Sequence, residues 1–336
     1  MNILITAIGS FSADYVISSL KRNNHNVIGC DIYPPEWHAV SNDCTTVYQV
    51  PLATKEQKYI DTLIYICSKE NIDLIFPLTD VEVDVLNRHR SCFAERGVQV
   101  CLQSESTLRV ARNKHILSCV FQNEACVHVP KFTLIADADS NFPFPAIAKP
   151  VDGRSSEGLC DIPSYADLQR LKLNPDYILQ QKLSGSIFTV DYVRQASSSK
   201  DVIVPREELL RTKNGAGTTV RITPDPVLIR TASYIGNKLQ INGCINMEFI
   251  YNSGKYYLID INPRFSAGVA FSAVAGYDMV AAHLACFTSG TIAEAPDFKK
   301  IIITKRYREE IISLLGSKSL FRSSAFLIRR NAKVRG

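Results

Sequence analysis

The sequence predicts an α/β chain: a parallel, helix-covered sheet at the N-terminus, followed by a two-lobed α+β region. Three observations carry this. Over the first hundred residues, short apolar runs alternate with helix-length amphipathic stretches. Further on, strands come as longer runs, and the last two are joined by the turn signal "NSG" at 252–254. The chain has 336 residues, 46% of them hydrophobic and 21% charged. That is enough for two or three packed units and is the composition of an ordinary soluble protein.

In order, Ile3–Thr6 reads as a buried strand, Ala13–Asn23 as a helix, and Asn26–Cys30 as a second strand ending on Asp31. Gln57–Lys69 reads as a helix, and Leu74–Phe76 as a third strand stopped by Pro77. Strands separated by helices of this length pair in parallel through crossovers. The result is Rossmann-like. The turn after the first strand, "TAIGSFSADY", holds a single glycine, Gly9. A dinucleotide fingerprint needs several, so that backbone can approach a pyrophosphate. NAD is therefore not expected. The stretch 1–8 lacks the basic segment and cleavage site of a leader and reads as strand. No run of eighteen apolar residues appears, and the expected location is cytoplasmic.

After a strand at Val98–Leu102 comes a helix containing "RNKHILSCVFQ". Strands follow at Ala146–Lys149, Tyr177–Gln181, Phe188–Arg194, Cys244–Tyr251 and Tyr256–Ile261. The last of these finishes as "LIDINPRF", which is too polar for a core. Side chains two apart on a strand share a face. Asp260 and Asn262 therefore lie together, and pairing across the turn sets Glu248 opposite Asp260. Two carboxylates and an amide oxygen form a hard-oxygen cluster suited to Mg²⁺ shared with phosphate oxygens. Arg264, just past the strand, offers a planar fork to a phosphate. In "AKPVDGRSSEG", Lys149 ends a strand, and Gly153 and Gly158 bracket Arg154, Ser155 and Ser156. Such a loop presents N–H and hydroxyl donors to an anion, although it is no Walker loop.

Taken together, Asn113-Lys114, "AKPVDGRSSEG", "ILQQKLSG" and "MEFI…LIDINPRFS" resemble the ATP-grasp family, and within it proteins similar to the carbamoyl-phosphate synthase large subunit. The resemblance implies a Rossmann-like pre-ATP-grasp domain (1–105), an ATP-grasp small lobe (106–182), a large lobe with the metal site (183–304) and a basic C-terminal extension (305–336). It implies ATP and Mg²⁺ as cofactors, with Mn²⁺ as the substitute. Lys114 and Lys149 would contact the phosphates, and Lys149 the adenine as well. Ser155, Ser156 and Gly158 would lie in the closing loop, and Gln181, Lys182 and Leu183 in the adenine hinge. Glu248, Asp260 and Asn262 would be the metal ligands, with Arg264 beside the transferred phosphoryl group. On this reading Arg264, Lys149 and Asn262 are the catalytic set. The chain departs from the family at three points: Gln181 stands where the hinge usually has glutamate, Ile187 where an acid often holds the ribose, and Asp260 for the commoner glutamate.

The implied function is a Mg-ATP-dependent ligase joining a small-molecule carboxylate to an amine or other nucleophile through an acyl phosphate. The alternatives are carbamoyl-phosphate-type synthesis and a non-catalytic, regulatory ATP-binding protein. On the acceptor side, "VPREELLRTKNGAG" at 204–217 is read as following a strand. It carries Arg206, Arg211 and Lys213, with Arg206 and Arg211 the candidates to anchor a substrate carboxylate; Ser266 stands near a helix start. Asp80 and Glu82 follow a strand and could face the cleft, or read at least equally as helix-capping acids. The ten cysteines are scattered singly, with no C-x-x-C pair, and read as reduced, mostly buried thiols. The six histidines show no metal spacing.

The net charge of +5 is uneven: residues 305–336 hold nine Lys/Arg against Glu309 and Glu310, which leaves the body slightly acidic. That excludes a nucleic-acid surface spread over the fold. The tail reads as a final helix packed on the body, with peripheral contact to an anionic membrane as the alternative. A homodimer is admitted, not required.

Overall fold

The computed structural model describes residues 1–153, 158–171 and 175–312. The N-terminal domain comprises β1 (Asn2–Ile5), α1 (Ala13–Arg22), β2 (Asn26–Asp31), β3 (Thr46–Gln49), α2 (Glu56–Glu70), β4 (Leu74–Phe76), α3 (Asp80–Arg88), α4 (Arg90–Ala94) and β5 (Gln99–Val100). All five strands are parallel, in the order β3-β2-β1-β4-β5. Ile3, Leu4 and Ile5 are fully buried, as a strand covered on both faces requires. The chain leaves β1 toward β2 and later returns to β4 on its other side. The crevice between the turns after β1 and β4 is thus the topological switch point, where open α/β sheets place ligands.

Two short helices, α5 (Glu105–Ala111) and α6 (Lys114–Phe121), lead into a four-stranded antiparallel sheet, β6-β9-β7-β8. It comprises β6 (Phe132–Leu134), β7 (Ala146–Pro150), β8 (Cys160–Ile162), α7 (Tyr165–Arg170) and β9 (Tyr177–Gln181). The third sheet is antiparallel and six-stranded, in the order β14-β13-β10-β11-β12-β15. Its strands and helices are β10 (Ser186–Gln195), β11 (Lys200–Arg211), β12 (Gly217–Ile222), α8 (Pro226–Lys238), β13 (Gly243–Asn252), β14 (Lys255–Asn262), α9 (Val269–Val274), α10 (Met279–Cys286) and β15 (Ile302–Thr304).

One face of the six-stranded sheet is covered by α8 and the α5–α6 pair through Leu228, Ile235, Leu117 and Phe121. The other face joins the N-terminal domain in a shared core. There Ile5 and Phe76 of the first sheet meet Val193, Val204, Phe265 and Met279. Phe76 lies 4.8 Å edge-on to the ring of His283, which also packs against Phe265 and Phe287. The first domain is therefore welded to the third sheet, and the small sheet keeps its own separate core around Ala146, Ile162 and Leu179.

Two expectations need correction. Val204–Arg211 does not follow a strand; it is the second half of β11, and only 212–216 turn. Four of the ten cysteines are buried, and Cys119 and Cys126 are exposed, so "mostly buried" overstates it; all ten are free thiols. Residues 305–312 carry no helix, and the rest of the expected terminal helix lies outside the described residues. Among those residues, no helix is long and apolar enough to cross a membrane.

Candidate functional site

The β13–β14 hairpin turns through Ser253 (φ 48°) and Gly254 (φ 80°). Two consecutive positive-φ residues match the right-handed twist of the strands and so set the register. That register puts Glu248 directly opposite Asp260 and Asn246 opposite Asn262. A bulge between Glu248 and Phe249 follows the acid pair, and Pro263 ends the ladder. The Asn262 amide donates to Asn246 Oδ1 at 3.1 Å, and Asn246 donates to the Arg264 carbonyl at 3.2 Å. With its N–H engaged, Asn262 is left with its carbonyl oxygen for a cation.

Both carboxylates already face positive charge. Lys114 Nζ sits 3.3 Å from Asp260 Oδ1, and Arg211 Nη2 sits 3.2 Å from Glu248 Oε2. Burial holds the Glu248 carboxyl above its ordinary pKa, with Arg211 opposing the shift. Lys114 opens α6 behind Asn113, whose side chain caps the Ile116 N–H. It is 7% exposed and donates 2.7 Å to the Gly153 carbonyl. Lys149 stands near the end of β7. Burial pushes its ammonium down to about 8, with Asp260 opposing the shift and Lys114 adding to it. Gly158 has φ +70° and would drive a Cβ to 2.8 Å from the Tyr177 hydroxyl, so the loop re-enters the sheet on a residue that must be glycine. Ser155 and Ser156 lie outside the described residues.

These groups line a cleft of about 690 Å³ between all three sheets. One end is the hinge after β9. There the Gln181 N–H donates to the Lys131 carbonyl and the Lys182 N–H to the Pro145 carbonyl. Leu183 keeps its N–H without a protein partner among the described residues. Ile147, Leu159, Ile250 and Ile259 give that end apolar walls, which suits a planar ring. Ile187 does not line the cleft.

The acceptor end differs from its sequence reading. Arg206 is 2% exposed, and each of its three nitrogens is engaged: Nη1 with Asp191 Oδ2 at 2.7 Å, Nε with Glu208 Oε1 at 3.1 Å and Nη2 with Ser266 Oγ at 3.1 Å. A buried guanidinium needs such partners to offset its desolvation. The cleft thus receives Arg206 and Ser266 as a mutually satisfied network. Lys213 is exposed and does not line the cleft.

Arg264 donates 2.8 Å to Asp80 Oδ2, from the start of α3. Asp80, one of the two readings the sequence allowed it, lines the cleft, and Asn246 and Glu208 are the lining residues that sequence reasoning missed. Asn246 was within reach, since it lies two positions before Glu248 on the same strand face.

The Rossmann-like position for a ribose is closed. Asp31, at the end of β2, accepts the Gly9 N–H at 2.9 Å and the Tyr33 N–H at 3.1 Å, with His38 Nε2 at 3.3 Å.

Comparison with known proteins places this geometry. Residues 3–101 match a family model described as PylC-like, N-terminal domain, and residues 174–309 one described as ATP-grasp in the biosynthetic pathway with Ter operon. A curated relative, the carbamoyl phosphate synthase arginine-specific large chain of Bacillus subtilis, is 25% identical over 161 residues, 43% of this chain; the alignment spans 15% of that relative's length. The biotin carboxylase domain of Hydrogenobacter thermophilus 2-oxoglutarate carboxylase, solved with MgADP, ADP and bicarbonate, superimposes with a TM-score of 0.73 at 14% identity, covering 87% of this chain and 71% of that one. The L-amino acid ligase of Bacillus licheniformis gives 0.65 at 14% identity, over 84% and 73% of the two chains. The two matched models make this chain a PylC-like N-terminal domain followed by an ATP-grasp domain.

Proposed function

We propose that the protein is a Mg-ATP-dependent ligase that activates a small-molecule carboxylate as an acyl phosphate and passes it to an amine or related nucleophile. The observation that carries this reading is the facing pair Glu248–Asp260, set opposite Lys114 and Lys149 in a single cleft with the hinge at its far end.

The donor set fits a divalent cation. Glu248, Asp260 and the Asn262 oxygen offer hard oxygen donors and would hold such a cation, with phosphate oxygens and water supplying the rest of its ligands. Among the described residues no group of three or more His, Cys, Asp or Glu gathers, so a cation held here depends on the nucleotide for the rest of its ligands. When bound, the metal would neutralise phosphate charge. Lys149 and Lys114 would hold the phosphate oxygens from the small-lobe side. Gln181, Lys182 and Leu183 would seat the base, and the loop bearing Ser155, Ser156 and Gly158 would cover the phosphates. Arg264 would meet the γ-phosphoryl group from beyond the strand end. Phosphoryl transfer needs positioning and charge neutralisation more than a protein nucleophile. A substrate carboxylate oxygen bonds to the γ-phosphorus as the bond to the β,γ-bridging oxygen breaks, and ADP leaves. The amine then bonds to the acyl carbon, phosphate departs with the C–O electron pair, and the amine proton passes to solvent. Arg211, half-buried against Glu248, is the acceptor-side arginine able to exchange its partner for a substrate anion.

Calorimetric titration with Mg-ATP, followed by ADP release against pools of carboxylates and amines, tests the reading. Hydroxylamine should trap the activated acid as a hydroxamate. Absence of heat with Mg-ATP overturns the nucleotide site; binding without turnover against any pair leaves an ATP-binding protein and overturns the ligase.

A further inference from the structure

The N-terminal domain carries no dinucleotide signature, and Asp31 is spent on its own backbone, yet one of its carboxylates reaches the reaction end of the cleft. Asp80 is 4% exposed and lines the cleft. It meets two guanidiniums from different parts of the chain: Arg264 Nη2 at 2.8 Å, from beyond β14, and Arg112 Nη1 at 3.5 Å, from the end of α5. Arg112 is held in turn by both oxygens of Asp84, one turn further along α3, at 2.9 and 3.0 Å. An acid in the first turn of a helix is ordinarily explained by the helix dipole. Here a second first-turn acid, Glu82, lies buried against the Thr79 and Tyr59 hydroxyls, so α3 does not depend on Asp80 for its negative end.

We infer that Asp80 is a positioning residue for Arg264, so that the N-terminal domain is a working part of the phosphoryl-transfer site. The inference rests on the ligase reading above. A guanidinium on a post-strand loop has several rotatable bonds. One charge-assisted hydrogen bond to a buried carboxylate restricts it to a single arrangement before the substrate arrives. Arg112 and Asp84 fix that carboxylate from behind. Among the described residues, Arg264's other side-chain hydrogen bond, from Nη1 to the Phe265 carbonyl at 3.0 Å, is local and sets no direction relative to the other domain.

The test compares MgADP with MgADP plus aluminium fluoride, a mimic of the transferring phosphoryl group, on the full chain. Wild type should bind the fluoride complex more tightly than MgADP alone. Asp80→Asn should lose about tenfold of that enhancement while its MgADP affinity stays within about twofold. In an Arg264→Ala background, the same change should do almost nothing. If Asp80→Asn does not fold, Asp80→Glu carries the test: it keeps the charge but displaces Arg264, and should give an intermediate loss. The inference is overturned if the variants keep the full enhancement, if they lose MgADP affinity by the same factor, if the loss persists without Arg264, or if wild type binds MgADP but gains nothing from fluoride. Failure of wild type to bind MgADP at all would instead sink the nucleotide site itself.

Discussion

Two strands of this protein carry an aspartate at or near their last residue, and the two acids have opposite fates. Asp31 closes β2 and accepts two backbone N–H groups, with a histidine alongside. Asp260 stands near the end of β14, and its partners among the described residues, the Ile261 N–H at 3.1 Å and Lys114 at 3.3 Å, both meet Oδ1. The first is 6% exposed, while the Asp260 side chain is 21% exposed. An acid saturated by its own chain shapes a turn. One engaged through a single oxygen, opposite a second carboxylate, has coordination left over. The comparison therefore turns on what else bonds each carboxylate, which no strand pattern reveals.

The largest way to break the comparison is exchange of the two acids for amides. Asp260→Asn should lower Mg-ATP-dependent ADP release by about a thousandfold. Asp31→Asn should leave Mg-ATP binding within about twofold and lower thermal stability instead. Equal effects from both would erase the distinction.

Next comes Lys149. Its replacement by Ala should weaken Mg-ATP by about a hundredfold in calorimetry, as expected for a charge-assisted phosphate contact. The pH dependence has a definite sign. With the folded-state value near 8, the ammonium loses its charge as pH rises through 8, so Mg-ATP affinity should fall from pH 7 to 9. Stability of the free protein should move the other way. Between about 8 and the ordinary lysine value, the unfolded chain binds more protons, and stability rises with pH. Lys149→Met should flatten both trends.

A third test concerns the core shared by the two domains that carry the two acids. Burial holds His283 neutral, with its pKa pushed down to about 3, and its Nδ1 accepts the Cys244 N–H at 2.8 Å. Stability from this group is complete above the ordinary histidine value near 6.5 and is lost as pH falls toward 3. Wild type should lose about 2 kcal/mol between pH 7 and pH 5, and urea midpoints with a His283→Phe control check it. Smaller still is Gly217→Ala, whose Cβ would come within 1.9 Å of Glu208 Oε2. Displacing that carboxylate should cost about 1 kcal/mol at the acceptor end. Least of all, Trp37→Ser beside Asp31, at 68% exposure, should change stability by under about 0.5 kcal/mol and nucleotide affinity not at all.

Much of the architecture was legible because its signals are local. Leu74–Phe76 and Tyr177–Gln181 were read to the residue. The "NSG" turn was enough to place Glu248 across from Asp260. Legibility stopped where charge is settled by distant partners. Nothing near Arg206 announces that Asp191, Glu208 and Ser266 will enclose it, and the Asp80–Arg264 bond joins residues 184 apart. β3 was overlooked because its alternating "TVYQ" is short and half-buried. Segment 204–217 was misplaced because Arg206, Glu207 and Glu208 disguise a strand: Arg206 and Glu208 lie in the cleft wall, and Glu207 pairs with Arg221 on the other face.

Lys114 has a consequence of its own. Its backbone N–H reaches the Val151 carbonyl and its ammonium the Gly153 carbonyl, while the same ammonium faces Asp260. A single residue thereby ties Val151 and Gly153, just past β7, to the acid rim on the opposite wall. On the ligase reading, a phosphate that drew this lysine away would free the Gly153 carbonyl and uncover the aspartate in one movement.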